Sequence, residues 1–215
     1  MTKSEIRSFV KGLVRGISVE ERARCSEALK EEVVGLECWR SAKEVMLFFS
    51  LPDEVDMLPL IRAALAEQKR IYLPRVIATQ VSRGVDVCEV AEGNTLPKES
   101  TLPAGNTVSG EEMVLEVREL APGQLAPGRW GIWEPTDEAP LLSDYSRLDL
   151  VVVPGVAFSS DGKRLGRGKS FYDRFLPLVP RAAFVGVCYP CQVVEQIPAD
   201  PWDIGMDIVC CGEKR

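Results

Sequence analysis

The segment DLVVVPGVAFSSDGKRLGRGKSFYDRFL, residues 149–176, decides the fold of this chain. It continues an apolar run at 148–153 that is rich in β-branched residues, and such a run is typical of a strand buried on both faces of a parallel sheet. Pro154 and Gly155 end the strand, and the composition of residues 159–162 predicts a turn. The spacing of residues 171–176 predicts a short helix that Pro177 ends.

The stretch KRLGRGKS, residues 163–170, holds four cations and two glycines within eight residues. Glycine lets backbone N–H groups approach an anion closely, and the cations neutralise its charge, so the pattern predicts a polyphosphate-binding loop. Asp173 follows Lys169 by about one helical turn. A carboxylate at that position is well placed to hold the Mg²⁺ that accompanies a nucleotide.

Three other interpretations of this loop stay open. A P-loop, G-x-x-x-x-G-K-[ST], is missed because five residues separate Gly162 from Gly168, and nine residues separate Val153 from Lys163. A dinucleotide fingerprint needs a third glycine, which residues 166–168 lack. A solvated basic loop is the plainest alternative, although the interleaved glycines and the aromatic and acidic residues that follow argue against it.

The stretches PGVAF and DGKRLGRGKSFYDRFL resemble the signature of the 5-formyltetrahydrofolate cyclo-ligase family, also called methenyltetrahydrofolate synthetases. The family pattern is approximately P-G-x-A-F-D-x-x-G-x-R-L-G-x-G-x-G-[YF]-Y-D-R. Ser159 stands where the family usually has Asp, and Ser170 stands where it usually has Gly. The added Cβ of Ser170 could crowd the approach of the backbone to phosphate.

This resemblance implies conversion of 5-formyltetrahydrofolate to 5,10-methenyltetrahydrofolate, with ATP and Mg²⁺ as cofactors and release of ADP and phosphate. It implies that the phosphates are held, and the reaction assisted, by Arg164, Arg167 and Lys169. The family also carries K-x-x-x-R near its N-terminus, where it contacts ATP, and Lys3 and Arg7 match that spacing. The full ATP-binding set implied is Lys3, Arg7, Arg164, Leu165, Gly166, Arg167, Gly168, Lys169, Ser170, Phe171 and Tyr172.

Folate-binding residues are implied by two further family segments, S-x-x-x-E-[VI]-[DE]-T and [FY]-G-I-x-E-P. In the first, the family glutamate binds the pterin, and Glu54 matches it; a carboxylate can accept two N–H donors from an aminopyrimidine. Glu54 could instead serve only as favourable negative charge near the start of the next helix. The second matches residues 130–135, where Trp130 offers a flat face to an aromatic ring. The set implied is Phe49, Leu51, Glu54, Trp130, Arg167, Phe171 and Tyr172.

The Mg²⁺ ligands implied by the resemblance are Asp173 and Asp203. Asp203 matches the first aspartate of the terminal family pattern x-x-D-x-x-[VML]-D-x-[VI]. The pair Cys188 and Cys191 has the spacing of a redox or zinc motif, but the chain lacks histidine, and the adjacent Cys210 and Cys211 are wrongly spaced for a tetrahedral site.

A strand at 45–49, a helix at 57–67 and a strand at 71–73 form a predicted βαβ unit. We therefore expect an α/β fold: one three-layer domain, residues 1–215, with a mostly parallel central sheet flanked by helices. Ligands of such sheets bind beyond the carboxyl ends of the strands, where Glu54 lies. Residues 92–110 suggest a long loop, residues 113–120 a strand or short helix, and residues 189–198 resemble a helix of the family.

Composition limits the possible functions of the chain. With 215 residues, a net charge of −6 and no long apolar run, it is expected to be a cytoplasmic monomer that acts on small molecules and binds neither nucleic acid nor membranes. The absence of histidine excludes a histidine triad and a histidine base. The alternatives that remain are a non-catalytic nucleotide- or folate-binding module and a P-loop-type kinase.

Overall fold

The structure, a computed structural model, describes residues 1–80, 111–128 and 131–213. Its helices are α1 (Lys3–Arg15), α2 (Val19–Val34), α3 (Glu37–Ser41), α4 (Leu58–Ala66) and α5 (Phe171–Phe175). The strands are β1 (Glu44–Met46), β2 (Arg70–Gln80), β3 (Glu111–Glu119), β4 (Leu125–Pro127), β5 (Trp133–Pro135), β6 (Leu150–Pro154), β7 (Ala157–Ser159), β8 (Arg164–Leu165), β9 (Ala183–Val187), β10 (Val193–Val194) and β11 (Ile208–Cys210). Short 3-10 turns span Tyr145–Arg147, Leu176–Leu178 and Pro190–Gln192.

The central sheet has the strand order β11-β9-β6-β1-β2-β3. Its pairings are parallel except at the edge, where β3 runs antiparallel to β2. Alternate residues of β6 face opposite sides of the sheet: Leu150 and Val152 join one apolar cluster, whereas Val151 and Val153 join another. The continuous apolar run is explained by this burial on both faces, and the predicted α/β fold with a mostly parallel sheet is confirmed.

Helices cover both faces of the sheet. Val10 of α1, Leu29 of α2 and Leu60 of α4 pack in the cluster that contains Leu150. Phe175 of α5 packs in the opposite cluster, together with the 3-10 turn that follows it. Among the described residues, none of the helices is both long enough and apolar enough to cross a bilayer.

The chain reverses its direction across the sheet at β1. It passes from β1 to β2 on one side and returns later to β6 on the other side. The carboxyl ends of β1 and β6 therefore border a topological switch point, which is where ligands bind in open α/β sheets. The connections that leave these ends are residues 47–57 after β1 and residues 155–170 after β6.

Two predictions of local structure need correction. The helix expected at 189–198 is wrong: Pro190–Gln192 is a single 3-10 turn, and the β-branched residues Val193 and Val194 then pair in parallel with β7. The strand expected at 71–73 extends over Arg70–Gln80 because it pairs along its whole length with β3. Segment 113–120 is therefore largely strand, whereas the loop predicted at 92–110 lies outside the described residues.

Candidate active site

A β-hairpin presents the basic loop. Strands β7 and β8 pair antiparallel, and the backbone N–H of Gly162 donates to the carbonyl of Ser159 at 3.0 Å, which confirms the predicted turn. Gly162 has φ of +84° and an ideal Cβ there would lie 2.3 Å from the carbonyl oxygen of Met206, so this turn requires glycine. After β8 the chain passes through Gly168 at φ +91° and Ser170 at φ +52° before α5 begins at Phe171.

Arg164 lies beneath this loop, with its side chain only 3% exposed. Its guanidinium donates from Nη2 to Oδ1 of Asp173 and from Nη1 to the carbonyl of Pro154 at 3.3 Å, and it stands 5.7 Å from the ring centre of Tyr172. Its buried Nε has no hydrogen-bond partner within the described segments. The structure thus places the first of the predicted phosphate-binding arginines inside the protein, paired with the predicted metal ligand Asp173.

Arg167 has a different environment, because it bridges to the turn after β1. It makes a bidentate contact with Asp53, donating from Nη1 to Oδ2 at 3.1 Å and from Nη2 to Oδ1 at 2.6 Å. It also donates from Nε and Nη2 to Oε1 of Glu54 at 3.1 and 2.9 Å. The sequence did not suggest that the predicted phosphate-binding Arg167 and the predicted pterin-binding Glu54 would contact each other directly.

In the cluster formed by Asp53, Glu54 and Arg167, burial and the neighbouring charges shift the pKa values of Asp53 and Arg167 in opposite directions. Burial raises the pKa of the Asp53 carboxyl, but its hydrogen bond and charge interaction with Arg167 outweigh this and bring the pKa below its usual value. Burial lowers the pKa of Arg167, while Asp53 and Glu54 raise it overall. The Glu54 side chain is only 8% exposed, and its Oε2 accepts a hydrogen bond from the backbone N–H of Leu51 at 2.9 Å.

Helix α1 lies beside the loop and contributes the two predicted N-terminal cations. Arg7 donates from Nε to the carbonyl of Gly166 at 2.8 Å, so it contacts the glycine-rich segment directly. Lys3 lies at another point, where its ammonium is paired with Asp200 at 2.7 Å and also with Asp203. Burial lowers the pKa of Lys3, but the hydrogen bonds with these two carboxylates raise it overall.

The exposed residues of the loop are Lys163, which pairs with Asp161 at 2.6 Å, and the segment 167–170. Within the described portion of the chain, no hydrogen bond or ion pair engages the Lys169 ammonium. Leu165, by contrast, is buried in β8, and Gly166 is half-buried. An anion approaching the loop therefore meets Lys169 as an uncommitted cation.

A cavity of about 160 Å³ lies between α1 and the strand ends. It brings together residues from α1, from the turn after β1, from the connection after β6 and from the 3-10 turn after β9. Gln192 ties these walls together: its amide donates to the carbonyls of Gly155 and Val156 at 3.1 and 3.0 Å. The lining residues are Arg7, Val10, Lys11, Val14, Asp53, Gly155, Val156, Arg167 and Gln192.

The predicted folate-binding residues are only partly brought together. Glu54 and Arg167 are in contact, and the backbone N–H of Leu51 donates to Glu54. Phe49 is half-buried and packs against the main apolar cluster. Burial, followed by the charge of Glu54, raises the pKa of Tyr172, while the ring of Phe171 lies 5.8 Å from the guanidinium carbon of Arg174. Trp130 lies outside the described residues.

The predicted metal ligands are each paired with a cation, Asp173 with Arg164 and Asp203 with Lys3. In the described ranges no group of three or more cysteine or acidic side chains forms a metal cage. Mg²⁺ is often held by only one or two carboxylates together with substrate phosphates, and these oxygen donors suit that arrangement. Cys188 and Cys191 are free thiols, and burial raises the pKa of both.

Sequence reasoning missed Asp53 and Gln192. Asp53 precedes Glu54 in the turn after β1, so its place beside a predicted site residue was a usable signal. Gln192 is buried, with its Oε1 accepting from the backbone N–H of Tyr189 at 2.8 Å. The hydroxyl of Tyr189 in turn donates to the backbone carbonyl of Glu54 at 2.9 Å. These long-range contacts link the turn after β1 to the chain after β9, and no local sequence pattern predicts them.

The chain is similar to known proteins over almost its whole length. The model of the 5-formyltetrahydrofolate cyclo-ligase family matches residues 1–212. The chain belongs to this family. It is 26% identical to the 5-formyltetrahydrofolate cyclo-ligase of Haemophilus influenzae over 212 residues, which cover 98% of this chain and 97% of that protein. It is 30% identical to the Escherichia coli K12 cyclo-ligase over 175 residues, or 80% of each chain.

Solved structures of family members share the fold. The NMR structure of Aquifex aeolicus 5,10-methenyltetrahydrofolate synthetase is similar with a TM-score of 0.73 and 32% identity, covering 100% of this chain and 91% of that one. The synthetase from Mycoplasma pneumoniae superposes with a TM-score of 0.69 at 19% identity, covering 99% of this chain and 100% of that one. The latter likeness concerns the fold alone.

Proposed function

We propose that this cyclo-ligase family member converts 5-formyltetrahydrofolate to 5,10-methenyltetrahydrofolate, using ATP with Mg²⁺ and releasing ADP and phosphate. The observation that carries the proposal is the contact between Arg167 and Glu54. It joins the polyphosphate loop to the buried carboxylate after β1, beside the switch point of the sheet. The predicted phosphate-binding loop and the predicted pterin-binding carboxylate are therefore adjacent, which supports a reaction between the two substrates at this place.

The substrates would be held by charge and hydrogen bonding. Arg167 and the uncommitted Lys169 would bind the phosphates, and Arg7 would support the loop through the carbonyl of Gly166. Glu54 would accept N–H donors of the pterin. Lys3 would contact ATP from the start of α1.

Arg164 has a supporting role in this proposal. Because it is buried and paired with Asp173, it would fix the shape of the loop and the position of that carboxylate rather than contact phosphate itself. Asp173 and Asp203 would hold Mg²⁺ through oxygen or water. Bound Mg²⁺ supplies further neutralisation of the phosphate charge.

The chemistry suits a chain that has no histidine. In the proposed reaction, the formyl oxygen attacks the γ-phosphorus and displaces ADP. N10 then attacks the activated formyl carbon, loses its proton to solvent, and the C–O bond breaks to release phosphate. Phosphoryl transfer depends mainly on positioning and charge neutralisation, not on a strong base. Cations on a glycine-rich loop and a carboxylate for the second substrate meet those needs.

The test is the growth of methenyltetrahydrofolate absorbance when the purified protein is mixed with 5-formyltetrahydrofolate, MgCl₂ and ATP. We expect a signal that requires all three components and is strongly reduced in Lys169→Ala. Binding of both substrates without product would indicate a non-catalytic module. A phosphorylated product that persists without cyclisation would indicate a kinase.

A further inference from the structure

Both carboxylate oxygens of Glu54 are already engaged. Oε1 accepts two hydrogen bonds from Arg167, and Oε2 accepts one from the backbone N–H of Leu51. A carboxylate oxygen has two lone-pair sites, so Oε1 is full and only Oε2 has a free position. A ligand that donates two N–H groups side by side to Glu54 must therefore displace at least one hydrogen bond of Arg167.

The guanidinium of Arg167 is similarly committed. Four hydrogen bonds connect it to Asp53 and Glu54. An arginine has five N–H donors, so four carboxylate contacts leave it one for a phosphate. Two negative charges also neutralise its single positive charge. In this arrangement Arg167 binds a polyphosphate poorly until one of the carboxylates releases it.

We propose that Asp53 is a positioning residue for Arg167, and that folate and nucleotide bind with positive coupling through the Glu54–Arg167–Asp53 cluster. This inference rests on the proposed function. The pterin takes Glu54 and frees N–H donors of Arg167 for the polyphosphate. Asp53 keeps the freed guanidinium at the cleft through its bidentate contact, which is the strong geometry for an arginine–carboxylate pair.

The coupling is reciprocal. If folate tightens nucleotide binding, the nucleotide tightens folate binding by the same factor, because both equilibria belong to one thermodynamic cycle. Asp53 occupies an unspecified position of the family pattern S-x-x-x-E-[VI]-[DE]-T, and its contact with Arg167 supplies the reason for its role.

The experiment is calorimetric titration of the full chain with the non-hydrolysable analogue adenosine 5′-(β,γ-imido)triphosphate and Mg²⁺, with and without saturating 5-formyltetrahydrofolate. We expect the folate to tighten nucleotide binding about tenfold, within the ordinary range of coupling between sites. In Asp53→Asn we expect this factor to fall to about twofold, with no weakening of nucleotide binding in the absence of folate.

A matched control is available at Arg75, which also forms ion pairs with two carboxylates, Glu116 at 2.8 Å and Asp137. Asp137→Asn should leave the coupling factor at its wild-type value. A factor of one in the wild type, with both ligands bound, overturns the coupling while leaving the proposed function intact. An unchanged factor in Asp53→Asn overturns the role of Asp53, and failure of both ligands to bind removes the proposed function as well.

Discussion

Arg164 and Arg167 stand three residues apart on one loop, yet they occupy opposite environments. The side chain of Arg164 is 3% exposed and is paired with Asp173, whereas that of Arg167 is 39% exposed and is shared by Asp53 and Glu54. The difference arises from the hairpin. Arg164 lies in β8, opposite Phe158 of β7, and turns beneath the loop, whereas Arg167 follows the end of that strand.

The cations of one basic segment can therefore have different functions. A buried cation has lost its water and depends on its partner, so its removal is expected to damage the fold. An exposed cation costs little to remove but can supply a ligand with charge. Substitutions at the two arginines and at the residues around them separate these two roles.

Arg164→Met tests the buried pair. Removing one partner leaves the Asp173 carboxylate uncompensated in a nearly dry site, so the free energy of unfolding should fall by about 3–5 kcal/mol. Urea denaturation measures this loss. The double variant Arg164→Met/Asp173→Leu should recover most of the stability, because no unpaired charge remains. A loss of less than about 1 kcal/mol in the single variant would show that the Arg164 ion pair contributes no more to stability than a surface ion pair.

Arg167→Ala tests the exposed arginine. We expect kcat/KM for cyclisation to fall about 10²–10³-fold, a loss typical of removing one donor to developing charge. The free energy of unfolding should fall by about 1–3 kcal/mol, because the Glu54 carboxylate is only 8% exposed and loses its cation. The control is Arg174→Ala, which removes another arginine of the same segment that is paired with Glu112 instead. Steady-state kinetics that show equal losses for both variants would contradict a special role for Arg167.

Glu54→Gln tests the carboxylate that Arg167 contacts. A hydrogen bond to a charged group contributes about 1.5–3 kcal/mol, so kcat/KM for 5-formyltetrahydrofolate should fall roughly 10- to 150-fold. Asp56→Asn is the control, because the Asp56 carboxylate accepts from the backbone N–H of Leu58 at 2.9 Å at the start of α4. Normal folate kinetics in Glu54→Gln would show that the pterin binds elsewhere.

Ser170→Gly tests the strain where the loop enters α5. Ser170 has φ of +52°, a left-handed conformation that costs a non-glycine residue about 1–2 kcal/mol. The greater flexibility of glycine in the unfolded chain offsets part of this, so we expect the free energy of unfolding to rise by about 0.5 kcal/mol. Gly168→Ala, at φ +91°, should lower it instead. A destabilised Ser170→Gly protein would mean that the serine side chain supports the loop.

Much of the scaffold was predictable because it depends on local patterns. The apolar run at 148–153 predicted a strand buried on both faces, and β6 is buried on both faces. The turn at 159–162 and the helix after Ser170 were also predicted from composition and spacing. Each of these features is determined by the residues within its own segment and does not require contacts with distant parts of the chain.

The remaining features depend on contacts between distant segments. Nothing in the spacing of KRLGRGKS distinguishes the buried Arg164 from the exposed Arg167, because the pairing of β7 with β8 decides it. The helix predicted at 189–198 is wrong because Val193 and Val194 pair with β7, a strand more than 30 residues earlier in the chain. The contact between Arg167 and Glu54 spans 113 positions of sequence, and it became visible only in the folded chain.

The most direct test of this account is NMR observation of the arginine Nε–H signals while 5-formyltetrahydrofolate is added to the ¹⁵N-labelled protein, with signals assigned through Arg164→Lys and Arg167→Lys. We predict that the Arg167 signal shifts, because the pterin displaces this arginine from Glu54, and that the buried Arg164 signal stays in place. A shift at Arg164 with an unmoved Arg167 would contradict it.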